Sequence, residues 1–326
     1  MAGSFLGKAR RREVRALSSR PLEESAMDPK TWLSREELAS VTRRSDLKGA
    51  FLVLSQWVQV IGLFYLMAAF PSVPMWLLGT VLLGSRLLGF GILVHECGHR
   101  TLFRTPAFND FAGRWLVAPP TFNNMRAYMR GHLEHHRLAG TAEDPDLPNY
   151  RDYPISRARL WRKLRRDLTG QTGWRTLQGV GRSLANYRSL SPEARGALGR
   201  AVLMNAAVFL TLLLAGVPVL YLTWILAYIF ILPLVSRIRQ VAEHGAVPDL
   251  FSRDARQNTR SIRSNWFMRA LFSPHGVNWH LEHHLMPSVP IYHLGRLHRL
   301  LAAKGAYEGI HFETSYPRLL AAVSHS

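Results

Sequence analysis

Residues 74–99 read PMWLLGTVLLGSRLLGFGILVHECGH. Up to Val94 the stretch holds one formal charge, Arg86, and it is as long as the roughly 20 apolar residues a helix needs to cross a bilayer core. It runs straight into His95-Glu96-Cys97-Gly98-His99. Histidines four apart share a helix face, so the pattern predicts a transmembrane helix that continues past the membrane surface and carries His95 and His99 out on one side.

Two further apolar blocks flank this one. Residues 48–70 carry only Lys48 as a charge, and residues 201–235 carry none. The latter is long enough for two short spans and is broken by Gly216-Val217-Pro218, so four crossings are expected. A chain of 326 residues, 48% hydrophobic with its apolar residues gathered into blocks, is an integral membrane protein rather than a soluble domain.

Charge sets the expected orientation. The net charge is +19. Of 41 basic residues, 11 precede or open the first span, 18 fall at 100–200, 11 fall at 237 and beyond, and the turns at 71–74 and 216–218 hold none. The positive-inside rule places all three basic segments in the cytoplasm. The expected fold is therefore all-α: four transmembrane helices in two hairpins, both termini cytoplasmic, and a cytosolic helical cap. The expected organisation is a basic N-terminal segment at 1–47, a membrane part at 48–304 and a C-terminal tail at 305–326. Basic residues that flank spans in a topology-setting pattern do not form a phosphate-binding patch on a soluble module, which excludes nucleic acid as the partner.

The N-terminus lacks the apolar core of a signal peptide. Its basic stretch at 8–15 is expected on anionic headgroups, and Ser34-Arg35-Glu36-Glu37 reads as a capping box. Residues 155–200 are again basic, with Trp161, Leu164, Leu168 and Trp174 interspersed. They read as an interfacial amphipathic segment, or as a dock for an acidic electron donor or the anionic head of an acyl carrier. The one cysteine, Cys97, permits no intrachain disulfide and fits a reducing face.

Three clusters hold eight of the fourteen histidines: His95 and His99; His132, His135 and His136; His280, His283 and His284. Spacings of three and four let each cluster aim its imidazoles at one point as metal ligands. Eight ligands exceed one tetrahedral ion, so imidazole-rich sites beside spans point to two redox-active irons with dioxygen as cosubstrate. His244, just beyond the fourth block, is expected as a ninth ligand. His275 is expected in a loop after Pro274, and His293, His298, His311 and His325 on the surface. Glu96, Glu134, Glu243 and Glu282, with Asp144 and Asp146, are candidates to accept the second ring N–H of a ligand. No catalytic residue beyond the ligands is assigned. The first cluster also satisfies HExxH, the pattern of zinc proteases, but that reading leaves both HLEHH clusters without a role.

The order HxxxH, HxxHH, HxxHH, with Asp144-Pro145-Asp146-Leu147-Pro148 after the second cluster and Asn278-Trp279 before the third, resembles the membrane fatty acid desaturase superfamily over roughly residues 48–300. The resemblance implies an oxygen-dependent diiron enzyme of bacterial inner-membrane type that introduces a double bond into an acyl chain. Its two electrons would come from a separate ferredoxin, rubredoxin or cytochrome b5. Substrates in reach are an acyl lipid, an acyl thioester or a free fatty acid. The superfamily also holds hydroxylases and decarboxylases that form terminal alkenes. Arg86, about 13 Å before His95 along a helix, is read either as a carboxylate anchor for such a decarboxylase or as paired with a carbonyl or polar neighbour. Trp57, Phe64, Gly79, Gly84, Gly89 and Gly91 line an acyl channel or serve helix packing.

Overall fold

The computed structural model describes residues 27–325. The basic stretch at 8–15 lies outside them. The chain is mostly helical: α1 (Arg35–Thr42), α2 (Asp46–Ala69), α3 (Val73–Gly98), α4 (Met125–Leu138), α5 (Arg157–Leu168), α6 (Gln171–Ala185), α7 (Pro192–Leu214), α8 (Pro218–His244), α9 (His280–Leu285), α10 (Ile291–Ala303) and α11 (Tyr316–Ala322). Four of these stretches, with α1 and α2 counted as one, are long and apolar enough to cross a membrane, and the protein is a membrane protein.

Local chemistry sets the ends of these helices. The Ser34 capping box is present, with Glu37 N–H donating to Ser34 Oγ at 3.1 Å and Ser34 N–H donating to Glu37 Oε2 at 2.8 Å. Ser45, Ser72 and Ser191 cap α2, α3 and α7, and prolines stand in the first turns of α3 and α7, where a missing N–H costs nothing. The break between α7 and α8 falls at Gly216, whose φ of 76° suits glycine. Two of the helices run on past the ends of their apolar blocks. α3 extends to Gly98 and α8 to His244, and these extra turns carry histidines beyond the apolar stretch.

α2 shows two faces. Leu47, Phe51, Leu54, Val58, Ile61 and Tyr65 form an exposed stripe at spacings of three and four, while Val53, Gln56, Val60, Phe64 and Met67 are buried behind it. A continuous apolar stripe of this length on the outside of a folded chain faces lipid. α3 is the central helix: from Leu83 to Cys97 every residue except Gly91 is buried. Its glycines serve close packing, since a Cβ at Gly79 would strike Met67, one at Gly84 would strike Ile231, and one at Gly89 would strike Gln56. Gly91 alone of the four faces open space.

The remaining helices gather at the end of the spans that carries the histidines. α1 packs on α10 with Val41 fully buried, and Ser45 N–H donates to the Tyr292 hydroxyl at 2.8 Å. The stretch read as a C-terminal tail is packed as well. Tyr316, Leu319 and Val323 are buried with Tyr150, Tyr153 and Ile155, and Ser324–His325 pairs in parallel with Ile155–Ser156. On α5 and α6, Trp161, Leu168, Trp174 and Leu184 are exposed among arginines. Asp167 at the end of α5 is buried and paired with Arg237 of α8, which ties that amphipathic pair to the fourth span.

Candidate metal centre

Four helices bring nine histidines together. The end of α3 supplies His95 and His99; α4 supplies His132, His135 and His136; the end of α8 supplies His244; and α9 supplies His280, His283 and His284. They form two adjacent groups. In the first, His95, His99, His132, His136 and His283 place one ring nitrogen each within 4.8 Å of the others. In the second, His135, His244 and His284 do the same, and His280 Nε2 lies 3.0 Å from His244 Nε2 and 3.1 Å from His284 Nε2. The two groups share ring contacts, with His136 and His284 at a centroid separation of 4.5 Å. Each is able to hold a metal ion.

The expectation that each cluster aims at a single point is corrected. His132 and His136 turn to the first group and His135 to the second; His280 and His284 turn to the second and His283 to the first. The reason is angular. At about 100° per residue, positions i and i+4 differ by about 40°, whereas i+3 lies about 100° from i+4, so an HxxHH helix laid between two points serves both.

Hydrogen bonding sets the tautomers, and these decide what the groups can bind. His95 Nδ1 donates to Glu96 Oε1 at 3.0 Å, His135 Nδ1 to Asp144 Oδ1 at 2.9 Å, and His244 Nδ1 to the Asn258 carbonyl at 3.3 Å. A neutral imidazole with its proton on Nδ1 leaves a bare lone pair on Nε2. His95 Nε2 belongs to a run of converging Nε2 atoms in the first group: His99 to His132 is 2.9 Å, and His132 to His136, His136 to His283 and His283 to His95 are each 3.0 Å. Burial, followed by the neighbouring histidines, lowers the pKa of His132, His280, His283 and His284, and burial also lowers His99 and brings His136 down to about 3. Neutral rings with lone pairs turned toward common points suit a cation at each point.

The six candidate carboxylates separate into different roles. Glu96 accepts from His95, from Thr101 Oγ1 at 2.9 Å and from Ile291 N–H at 3.0 Å. Asp144 accepts from His135 and from the Tyr150 hydroxyl; burial, the largest single influence, would raise its pKa, but the His135 bond and charge together with the bonds from Tyr150 and the Asp146 N–H hold it below the ordinary value. Asp146 stays 3.9 Å from His135. Glu243 pairs with Arg239 at 2.6 Å and lies 3.7 Å from His280 Nε2. Glu134 is exposed and bonded to Arg137, outside the site. Glu282 accepts from Ser261 Oγ at 2.5 Å, His298 Nδ1 at 2.5 Å and Tyr307 at 2.8 Å, and so fixes α9 itself rather than a ring of the two groups.

His298 is thus buried, against the expectation of a surface position. It stands four residues after Leu294 and three before Leu301, within the apolar stripe of α10, and that register was the signal for it. His275 lies in the loop as expected, and His293 is partly exposed beside Lys48. Tyr150, Thr101, Ser261 and Tyr307 carry no motif by which sequence reasoning finds them. Glu96 has its oxygens committed to three donors and is 1% exposed, so it does not serve as the free base an HExxH protease needs. Arg86 donates to Gln59 Oε1, to Ser85 Oγ at 3.0 Å and to the Ala270 carbonyl at 2.5 Å, which is the polar-neighbour reading and not the carboxylate anchor.

Beside the first group lies a cavity of about 550 Å³, lined among others by Leu87, Gly91, Phe122, Tyr128, Tyr228 and Leu232. Tyr128 joins the two, because its ring also stacks on His132 at 5.5 Å and 8°.

Comparison with known proteins agrees with this site. The family model described as fatty acid desaturase matches residues 71–316, which include all nine histidines. The chain belongs to the fatty acid desaturase family. It is 24% identical over 247 residues to the dihydrorhizobitoxine desaturase of Bradyrhizobium elkanii, covering 70% of this chain and 68% of that one. It is 25% identical over 281 residues to an sn-1 oleoyl-lipid 12-desaturase of a Picosynechococcus species, covering 78% and 77%. A sphingolipid delta(4)-desaturase DES1-like protein of Oryza sativa is 26% identical over a shorter stretch, 43% of this chain and 38% of its own. The protein is accordingly an oxidoreductase with desaturase-like activity on a lipid or acyl substrate.

The carboxylate that orients His135 should matter far more than one on the same helix that does not touch the site. Asp144→Asn is expected to weaken metal retention by roughly 10 to 100-fold, the usual effect of losing a partner that orients a ligand, while Glu134→Gln leaves it unchanged. Metal content after dialysis against a graded chelator measures both.

Proposed function

We propose that this protein is an oxygen-dependent diiron desaturase that introduces a double bond into an acyl chain. One iron is held by His95, His99, His132, His136 and His283, and the other by His135, His244, His280 and His284. The observation that carries this reading is the convergence of buried, neutral Nε2 atoms on two neighbouring points. Bound iron supplies the activation of dioxygen that removes hydrogen from an unactivated methylene. The overall balance takes one dioxygen, two electrons, two protons and two substrate hydrogens to two waters and a double bond.

The chain's own residues contribute position and enclosure. Glu96, Asp144 and the Asn258 carbonyl hold three ligand rings in one tautomer and one orientation. Tyr128, stacked on His132 and lining the cavity, forms the wall between ligands and cavity. The cavity receives the acyl chain, with Leu87, Tyr228 and Leu232 as its apolar lining and Gly91 leaving width for it. Packing at full interior density then fixes the methylene relative to the metals, which is the condition for selective hydrogen removal.

The distribution of basic residues supports two hairpins with both termini and the histidine-bearing helices in the cytoplasm as a cap, and the bacterial relatives support a bacterial inner membrane. Electrons come from a separate ferredoxin, rubredoxin or cytochrome b5, drawn to the basic cytosolic surface. Two relatives carry lipid substrates in their names, which supports an acyl chain presented from the membrane. With Arg86 engaged by Gln59, Ser85 and Ala270, no free-acid anchor at that position favours decarboxylation.

Two variants test separate parts of this reading. His244→Ala should lose iron from one of the two groups and reduce product by far more than the roughly 100-fold upper range of outer partners, while His293→Ala stays near normal; two irons and ordinary turnover in His244→Ala would remove that ligand. Gly91→Phe should retain both irons yet lose roughly tenfold or more of its turnover, because the added ring occupies the open space assigned to the chain. Unchanged product from Gly91→Phe would place the acyl chain elsewhere.

A further inference from the structure

Residues 265–276, between the fourth span and the third histidine cluster, take no part in the chemistry above. They form a short helix, Trp266–Phe272, followed by a turn at Pro274–Gly276. Three contacts fix their level. Ser85 Oγ donates to the Ala270 carbonyl at 2.6 Å, Arg86 Nη2 donates to the same carbonyl at 2.5 Å, and His275 Nε2 lies 2.9 Å from Gln56 Oε1.

Ser85 stands nine residues before Val94, the end of the apolar run of α3, or about 13 Å along a helix. Its side chain is short, so the backbone at Ala270 is held close to that level. Gln56 stands eight residues past Lys48, which opens the apolar run of α2, or about 12 Å. Two spans therefore give the segment the same depth. On its outer side Trp266 is 73% exposed and Phe267 is 48% exposed, like the outward stripe of α2.

We infer that residues 265–276 dip into the bilayer from the histidine-bearing side, with Trp266 and Phe267 immersed in lipid hydrocarbon. Non-helical backbone is tolerated at such a level only where protein satisfies it, and Ser85 and Arg86 satisfy the Ala270 carbonyl. A charge inside a span needs a reason, and Arg86 has one: it clamps this segment to α3. Among the described residues no carboxylate lies within 4.0 Å of it. Asn265 caps the short helix by accepting from Met268 N–H at 2.9 Å, and Arg269 is exposed, with a stem long enough for its head to reach the interface. The chain passes from this segment directly to Asn278, Trp279 and His280, so lipid contact sets where the third cluster begins.

Aqueous access tests this in the full chain. The purified protein in lipid nanodiscs, where both faces are open to solvent and no partner protein is present, carries Phe267→Cys or, as the exposed control outside the spans, Arg263→Cys. Cys97 is 1% exposed, so the unsubstituted chain sets the background. A membrane-impermeant maleimide should label position 267 roughly tenfold or more slowly than 263, in line with the free energy that holds an aromatic ring out of water, and the two should label alike after unfolding in SDS. A bimane placed at 267 should be quenched by lipids brominated on the acyl chain and spared by aqueous iodide. Equal labelling of 263 and 267 in nanodiscs, or iodide quenching that exceeds bromolipid quenching, would overturn the inference.

Discussion

Bare nitrogen lone pairs held about 3 Å apart repel one another, and the burial that excludes water also excludes the solvent that would soften the repulsion. Everything around the nine histidines answers that constraint. The rings are carried on the ends of two long helices, α3 and α8, that continue from the membrane, and on α4 and α9, which are locked against them. Carboxylates and a carbonyl bind the outer nitrogens of His95, His135 and His244, so that the inner nitrogens stay unprotonated. A cation at each point would turn the repulsion into attraction, so that metal binding would add to the stability of the fold.

The membrane serves the same end. α3 is exposed to lipid only near its start and is buried over its last four turns, so the helix that crosses the bilayer is also the centre of the histidine-bearing end. Its glycines admit Met67, Ile231 and Gln56 at close range, which fixes α2 and α8 against it. Where that close packing stops, at Gly91, a cavity opens. A single helix thus places the cavity and the histidines about one turn apart along its length, since Gly91 and His95 differ by four residues.

Much of this is legible in the sequence. The apolar blocks give the four spans because the bilayer demands length and apolarity together, and Gly216-Val217-Pro218 marks the break between α7 and α8 for the same backbone reasons in sequence and in structure. His244 is reachable by counting residues past the fourth block. The division of each HxxHH cluster between two points is not, because spacing shows which rings share a helix face and cannot show that two targets lie on either side of it. Glu96 and Glu134 look alike in sequence, each next to a histidine, and only the packing of Ile291 and Thr101 around one of them distinguishes a buried partner from a solvated one. His298 shows the reverse case, since its place in the apolar stripe of α10 outweighed its polarity. Contacts such as Arg86 to Ala270, 184 residues apart in sequence, are tertiary facts that no local pattern encodes.

The central claim is that the two histidine groups hold two irons close enough to act together. The most direct measurement is the metal content of the active, purified chain combined with Mössbauer spectroscopy of the iron-57 protein. The account predicts two irons per chain, inequivalent because one group has five ring nitrogens and the other four, and magnetically coupled when oxidised. One zinc per chain with full desaturase turnover, or a single uncoupled iron, would contradict it.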